Sequence, residues 1–130
     1  MTQEDKELLL KDLAARLWYG VKVTTINPAA EFGAMSGISI KGKISVETKD
    51  ADIVFECTEV KPYLRPMSSM TEEEKKEFSV LAVDTHLFKG PLIPSYDTLD
   101  WLNAHHFDYR GLIPKGLAIA VTEESNPYKE

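Results

Sequence analysis

The sequence predicts one α+β domain, a small antiparallel β meander or partly open barrel packed with an N-terminal helix and two further helices. Three observations predict it. Residues 3–19 repeat apolar side chains at helical spacing, residues 20–60 alternate with a period of two, and helix-capping patterns return after residue 70. We therefore divide a single domain, 1–130, into an N-terminal helix at 3–19, a β unit at 20–60 and a helical C-terminal part at 71–121.

The N-terminal helix has both a start and a stop signal. Thr2 is a good N-cap with Asp5 three residues later, and Gly20 is a natural C-terminal stop. Spacings of three and four predict the buried face of this helix. That predicted face comprises Leu10, Leu13, Ala14 and Leu17, widened by Leu9 and Trp18.

The β unit consists of short alternating runs separated by turn-type residues, which predicts four or five strands. Its composition also limits the chemistry available. Cys57 is the only cysteine, which excludes an intrachain disulfide and a zinc site built on thiolates alone. Because it stands in an apolar run, we interpret it as a small buried hydrophobe. The alternating pairs are Val21 and Val23, Ile38 and Ile40, Ile44 and Val46, and Ile53 and Phe55.

The segment Lys61–Pro66 carries two prolines four residues apart, which forbids a regular helix and favours an extended path. Extended segments of this kind serve either as rigid linkers or as elements that dock a partner. We favour the linker. In the docking alternative, Tyr63 and Arg65 are the contact residues.

Two further helices are predicted after this segment. Thr71, with Glu74 three residues later, forms the capping box of the second helix, and Glu72 is spaced for an ion pair with Lys76. The stretch 79–87 is compatible with either helix or strand. The third helix is predicted to begin at a cap on Asp97, with Asp100 three residues later, and to run through Trp101 to about His106.

The end of the chain is predicted to be simpler. Gly116–Val121 is an apolar run that we interpret as a last strand or an ordered arm. The polar tail from Thr122 onward is expected to fray.

Polar and aromatic residues that could form a site cluster around the end of the third helix. His105 and His106 are adjacent, so on a helix they point about 100° apart and do not converge on one ion. We therefore predict no metal and no cofactor, with one histidine packed beneath Trp101 and the other capping the helix. Asp108 and Arg110 are expected to pair and fix the turn before Gly111, and the alternative is a recognition patch of Tyr109 and Arg110. The candidate binding residues are Tyr63, Arg65, Trp101, His105, His106, Tyr109 and Arg110, and no residue is assigned a catalytic role.

Three stretches of the sequence carry a family resemblance. They are Leu8–Val23, Val60–Glu74 and Asp100–Ile113. Together they resemble an uncharacterised family of small proteins encoded by gut Bacteroidetes and their prophages. The resemblance implies an intracellular, phage-derived protein, and it transfers no activity and no catalytic residue to this chain.

Charge and motifs narrow the classes of function. The net charge is −6, residues 20–66 are neutral overall, and no basic stripe is present, which disfavours direct nucleic-acid binding. Gly33–Gly37 is not followed by the Lys-Ser/Thr of a phosphate-binding loop. The acidic start and the lack of a long apolar run predict a cytoplasmic protein with no membrane contact.

The predicted function is a non-enzymatic interaction or accessory module whose partner is another protein. Two alternatives stay open. One is a small hydrolase-like enzyme that uses His105 or His106 with Asp108, and the other is a nucleic-acid-associated regulator that uses the charge-neutral β unit as its contact face. The sequence does not predict the oligomeric state.

Overall fold

A computed structural model describes residues 2–25, 32–39, 41–48, 51–86 and 96–128. Three helices and six strands lie within these ranges, in the order helix, five strands, two helices, strand. The helices are α1 (Gln3–Arg16), α2 (Glu72–His86) and α3 (Tyr96–Ala104). The strands are β1 (Lys22–Thr25), β2 (Phe32–Ile38), β3 (Lys43–Glu47), β4 (Asp52–Glu56), β5 (Val60–Leu64) and β6 (Ile119–Ala120).

The six strands form one open sheet in the order β4-β3-β2-β1-β5-β6. Strands β1 to β4 are an antiparallel meander, and β5 returns to pair antiparallel with β1. β6 then pairs parallel with β5. The predicted α+β class, the meander and the three helices are confirmed, and the sheet is open rather than closed into a barrel.

Helix α1 begins and ends as its capping residues predict. The Asp5 backbone N–H donates to Thr2 Oγ1 at 3.1 Å. After Arg16 the chain tightens into a 3₁₀ turn, Leu17–Tyr19, and the left-handed Gly20 (φ 67°) ends the helical path.

The buried face of α1 differs from the predicted one. It consists of Leu9, Asp12, Leu13 and Arg16, and both Ala14 and Trp18 are exposed. These four residues have the same helical spacing as the predicted set, displaced by one position. The prediction is confirmed for Leu9 and Leu13, and Leu10 and Leu17 are partly buried against the core. It was wrong for Ala14 and Trp18, because it assigned every charged residue to solvent, whereas Asp12 and Arg16 neutralise one another four residues apart and enter the core as a pair.

The core lies between α1 and the inner face of the sheet. Cys57 is buried there, which confirms its interpretation as a small hydrophobe, although it lies in a 3₁₀ turn that follows β4. The other buried core residues are Leu9, Leu13, Val21, Val23, Met35, Ile44, Val46, Val60, Leu64, Leu112, Leu117 and Ala118.

The segment predicted to be a linker is a strand inside the sheet. Its extended path is confirmed, but β5 lies between β1 and β6 and is not laid over the core from outside. Proline has no N–H to donate to a neighbouring strand. Pro62 is tolerated because it lies opposite Val23 near the end of the pairing with β1, and because pairing with β6 begins only at Tyr63.

Helix α2 has the predicted capping box. Glu74 N–H donates to Thr71 Oγ1 at 3.2 Å, and Thr71 N–H donates to Glu74 Oε1 at 2.9 Å. The helix continues to His86, so residues 79–86 are helical, and Leu87 lies outside the described residues. Glu72 pairs with Lys75 at 3.3 Å, in place of the predicted Lys76.

Helix α3 begins at Tyr96, one residue before its predicted cap, so Asp97 lies in the first turn. None of the helices in the described ranges is long and apolar enough to cross a membrane.

Candidate functional site

The candidate site is an open groove of about 580 Å³ between the end of α3 and the C-terminal segment. Arg65, at the end of β5, lines one wall. The turn after α3 supplies His105 and His106, and the chain after β6 supplies Thr122, Asn126 and Tyr128. Three of the predicted binding residues, Arg65, His105 and His106, therefore meet at one surface.

An aromatic stack of Trp101, His105 and Phe107 packs against the groove through His105, which lines it. The Trp101 ring lies 4.2 Å from the His105 ring and 5.7 Å from the Phe107 ring, between centroids. It also contacts Phe78 of α2 at 5.8 Å, and Trp101 Nε1 donates to Glu77 Oε2 at 3.0 Å. The prediction that one histidine packs against Trp101 is confirmed, and Trp101 joins α2, α3 and Phe107.

Arg65 is fixed by a bidentate ion pair. Its two terminal nitrogens donate to the Glu74 carboxylate at 2.7 and 2.6 Å, and its guanidinium lies over the Phe107 ring at 4.2 Å. The hydrogen bonds from Arg65 lower the pKa of Glu74 to about 2. Since the charge of Arg65 is already neutralised within the fold, the groove gains little positive potential from it.

His106 ends α3 through its backbone. It adopts the left-handed region (φ 63°), and the N–H groups of His106 and Phe107 donate to the carbonyls of Asn103 and Leu102. These two bonds form a Schellman motif, in which glycine is the usual left-handed residue. Burial, reinforced by the nearby Arg16 charge, lowers the pKa of His106 to about 4, so its ring is neutral near pH 7.

The C-terminal segment is anchored rather than frayed, which corrects the prediction for the tail from Thr122. The Tyr128 ring stacks on His106 at 3.8 Å, and its hydroxyl accepts from Lys22 N–H at 2.9 Å and donates to the Tyr63 carbonyl at 2.7 Å. Continuing the β1–β5 register beyond Val23 and Pro62 would place Lys22 opposite Tyr63. The phenol therefore bridges the two strands where their ladder ends.

Replacing Tyr128 with phenylalanine is expected to destabilise the protein by about 1–3 kcal/mol, because it removes two hydrogen bonds that join β1 to β5. Urea unfolding measures the change. Tyr109→Phe is the matched control, since it removes one hydrogen bond, to Asn103 Oδ1, and should cost about half as much. Equal stability of wild type and Tyr128→Phe would contradict an anchored tail.

A buried polar network contacts the backbone of Phe107. Arg16 Nε and Nη2 donate to the two Asp12 carboxylate oxygens at 2.8 and 3.1 Å, and Nη2 also donates to the Phe107 carbonyl at 2.6 Å. Both charged side chains are fully buried. This pair is absent from the predicted site, although opposite charges four residues apart on one helix were the available signal.

The predicted pair of Asp108 and Arg110 does not form. Both Asp108 carboxylate oxygens accept backbone N–H groups, from Leu112 and Ile113, each at 2.9 Å. Arg110 turns instead toward Asp12, with Nε 3.4 Å from Oδ1. The backbone offers Asp108 two donors fixed by the turn, and the buried Asp12 attracts Arg110, so each side chain has a different partner.

Tyr109 and Arg110 belong to this network rather than to an open patch. The guanidinium groups of Arg16 and Arg110 both lie over the Tyr109 ring, at 5.0 and 5.2 Å from its centroid. Its hydroxyl donates to Asn103 Oδ1 at 2.8 Å. Tyr63, the remaining candidate, lines a second groove of about 220 Å³ together with Pro127.

A serine and a threonine side chain line the groove, and each bonds to the backbone. Ser69 Oγ donates to the Pro66 carbonyl, and Thr122 Oγ1 accepts from Ser125 N–H. Asp108 is not among the residues that line the groove. Within the described ranges, no three His, Cys, Asp or Glu side chains are grouped to hold a metal ion.

Comparisons with protein-family models, with curated proteins and with solved structures gave no match to this chain. The resemblance to small proteins of gut Bacteroidetes and their prophages stays a prediction.

Proposed function

We propose that this protein is a non-enzymatic interaction module that binds another protein through an exposed aromatic surface formed by Trp18 and Tyr96. The observation that carries the proposal is the exposure of Trp18, whose side chain is 93% accessible to solvent. Tryptophan is the residue type most enriched among interface side chains that dominate binding energy. An indole held in water gains a large apolar burial when a partner covers it.

Trp18 stands on a rigid support. It lies in the 3₁₀ turn between Leu17, which packs against the core, and Tyr19, whose hydroxyl donates to Asp100 Oδ1 at 3.1 Å. Its two neighbours thus fix the turn on both sides. A side chain presented in this way loses little conformational freedom on binding, which favours affinity.

Tyr96 extends the surface from α3. Its side chain is 88% exposed, and it precedes Asp100 by four residues, so the two lie on the same face of α3. Because Asp100 bonds to Tyr19, that face is the one turned toward the 3₁₀ turn of Trp18. We name Trp18 and Tyr96 together the aromatic surface.

The competing functions have weaker support. The enzyme alternative requires His105 or His106 to act with Asp108, but the Asp108 carboxylate is bonded to two backbone N–H groups. The nucleic-acid alternative requires a basic contact face, and the chain carries a net charge of −6.

A cytoplasmic location and a phage-derived origin are parts of the same proposal. The buried free thiol of Cys57 fits a reducing compartment, where unpaired cysteines persist. The origin is supported by the sequence resemblance alone.

Trp18→Ala and Tyr96→Ala are expected to abolish enrichment of a protein partner while leaving the melting temperature unchanged. Exposed side chains contribute within about 0.5 kcal/mol to folding, whereas interface tryptophans contribute 2 kcal/mol or more to binding. The measurement compares proteins captured by wild type and by each variant from lysate of the native host, by quantitative mass spectrometry.

Val80→Ala is the matched control, because Val80 is 73% exposed on α2 and lies outside the aromatic surface. It should capture the same partner as wild type. Equal capture by wild type and Trp18→Ala would reject the proposal.

A further inference from the structure

Strand β4 forms one edge of the sheet and carries exposed apolar side chains. Among the described residues it pairs with β3 alone. Val54 is 61% exposed and Ile53 is 42% exposed. An exposed edge with apolar side chains is a template to which another strand can add.

The register shows which backbone groups of β4 face away from β3. Thr48 N–H donates to the Ala51 carbonyl at 3.0 Å, so these two residues form a hydrogen-bonded pair next to the turn. Such pairs alternate along an antiparallel ladder, which makes Ile53 and Phe55 the residues bonded to β3. The N–H and C=O groups of Asp52 and Val54 therefore point outward.

A side-chain bond at the end of β4 agrees with this alternation. Glu56 N–H donates to Glu59 Oε1 at 3.0 Å rather than to β3. The N–H of Glu56 therefore already has a partner in Glu59, and the part of the edge open to another strand is centred on Val54.

The charges along β4 specify what kind of strand fits. Asp52, Val54 and Glu56 alternate on the outer face of the sheet, so an apolar centre lies between two carboxylates. Glu56 also pairs with Lys43 on β3, at 3.5 Å between Oε1 and Nζ, so Asp52 is the less compensated of the two. Asp52 also lies directly opposite Glu47 on β3, and both are exposed. Like charges directly opposed on neighbouring strands are destabilising, and a cation placed beside Asp52 would relieve that repulsion.

The same charges disfavour a second copy of this chain as the occupant. An antiparallel pair of β4 strands centred on Val54 would place Asp52 of one copy opposite Glu56 of the other, twice. A strand with lysine or arginine at both flanks would pair with Asp52 at one end and share the Glu56 carboxylate with Lys43 at the other.

We infer that the open edge of β4 binds an extended segment of a partner protein, with basic residues flanking an apolar centre, by antiparallel strand addition. This inference rests on the proposed function, since it assumes a protein partner. The extended segment of the partner binds the edge of β4, which is a different surface from the aromatic surface of Trp18 and Tyr96.

The test uses a synthetic peptide with the core Lys-Ile-Val-Ile-Lys and a control peptide in which both lysines are glutamate. Binding is measured by isothermal titration and by hydrogen exchange of the backbone amides in the full chain. The lysine peptide is expected to slow exchange at Asp52 and Val54 at least tenfold and to leave Ile53 and Phe55 unchanged, because those two already bond to β3. The glutamate peptide is expected not to bind.

Two variants separate the backbone from the charges. Val54→Pro removes one outward N–H while sparing the bonds to β3, so affinity should fall at least about tenfold, and Val54→Thr, which keeps that N–H, should bind within about threefold of wild type. Asp52→Lys should weaken the lysine peptide by about two- to fivefold and allow the glutamate peptide to bind.

Several results would overturn the inference. The first is equal binding of both peptides, and the second is unchanged affinity for the lysine peptide in both Val54→Pro and Asp52→Lys. The third is exchange at Asp52 and Val54 that slows with rising protein concentration in the absence of peptide. That result would identify a second copy as the occupant. Trp18→Ala should not alter peptide binding. Failure at β4 with retained capture of a partner through Trp18 rejects this inference alone, and loss of the Trp18 dependence rejects the proposed function.

Discussion

Replacing Arg16 with methionine is expected to destabilise the protein by about 3–5 kcal/mol. The substitution leaves the fully buried Asp12 carboxylate without its two hydrogen bonds, and only Arg110, with Nε 3.4 Å from Oδ1, then offsets its charge. Removing the main partner of a buried charge is among the most costly changes in a folded chain. It also removes the donor to the Phe107 carbonyl. Equilibrium unfolding in urea at neutral pH measures the loss.

A double replacement, Asp12→Leu with Arg16→Met, is expected to recover most of that stability. Burial raises the pKa of Asp12, because desolvation outweighs the attraction of Arg16, and Arg16 Nη1 is buried with no hydrogen-bond partner in the described parts of the chain. The pair therefore does not fully offset its own desolvation, and apolar replacements of buried pairs are often neutral or stabilising.

The exposed pair of Lys75 and Glu72 provides the control for these measurements, since Lys75→Met should change stability by less than about 1 kcal/mol. If Arg16→Met matched Lys75→Met, the pair would not be buried in solution. If the double variant were as unstable as Arg16→Met, the network with Phe107 would outweigh the desolvation of the pair.

Trp101→Ala is expected to lower stability by about 3 kcal/mol, which corresponds to a fall of about 10 °C in the melting temperature. The indole stacks on His105 and Phe107 and donates to Glu77, so its loss removes the aromatic contact and a hydrogen bond between α3 and α2. Thermal unfolding followed by circular dichroism measures the shift.

The second tryptophan of the chain is the internal control for this experiment. Trp18→Ala removes the same side chain from an exposed site and should leave the melting temperature within about 2 °C of wild type. An unchanged midpoint in Trp101→Ala would show that the stack contributes nothing to folding.

Local patterns predicted most of the elements correctly because their signals are short in range. Thr2, Thr71 and Gly20 act on backbone groups within one helical turn, so the ends they specify appear in the structure as expected. The alternating runs behave in the same way, since a strand with one buried face must repeat every two residues.

Long-range partners decided the candidate site, and residue spacing carries little information about them. The groove exists because Tyr128 lies over His106 and bridges Lys22 to Tyr63. The hydrogen bond from Tyr128 to Tyr63 spans 65 residues of the sequence, and the one from Lys22 to Tyr128 spans 106. Nothing in the periodicity of the polar tail marks that anchor. Arg65 and Trp101 were identified as candidates, but their partners Glu74, Glu77 and Phe107 became known only from the packing.

By itself, the sequence determined the α+β class, the antiparallel meander and the helix caps, because hydrophobic period and capping chemistry act locally. Only the tertiary structure decided which face of α1 is buried, and therefore that Arg16 is buried and Trp18 is exposed. Because α1 carries apolar residues on two overlapping faces, its own sequence does not decide which face is buried until the sheet covers one of them. Arg16 Nη2 donates to the Phe107 carbonyl on the buried side of α1, and Trp18 lies in solvent.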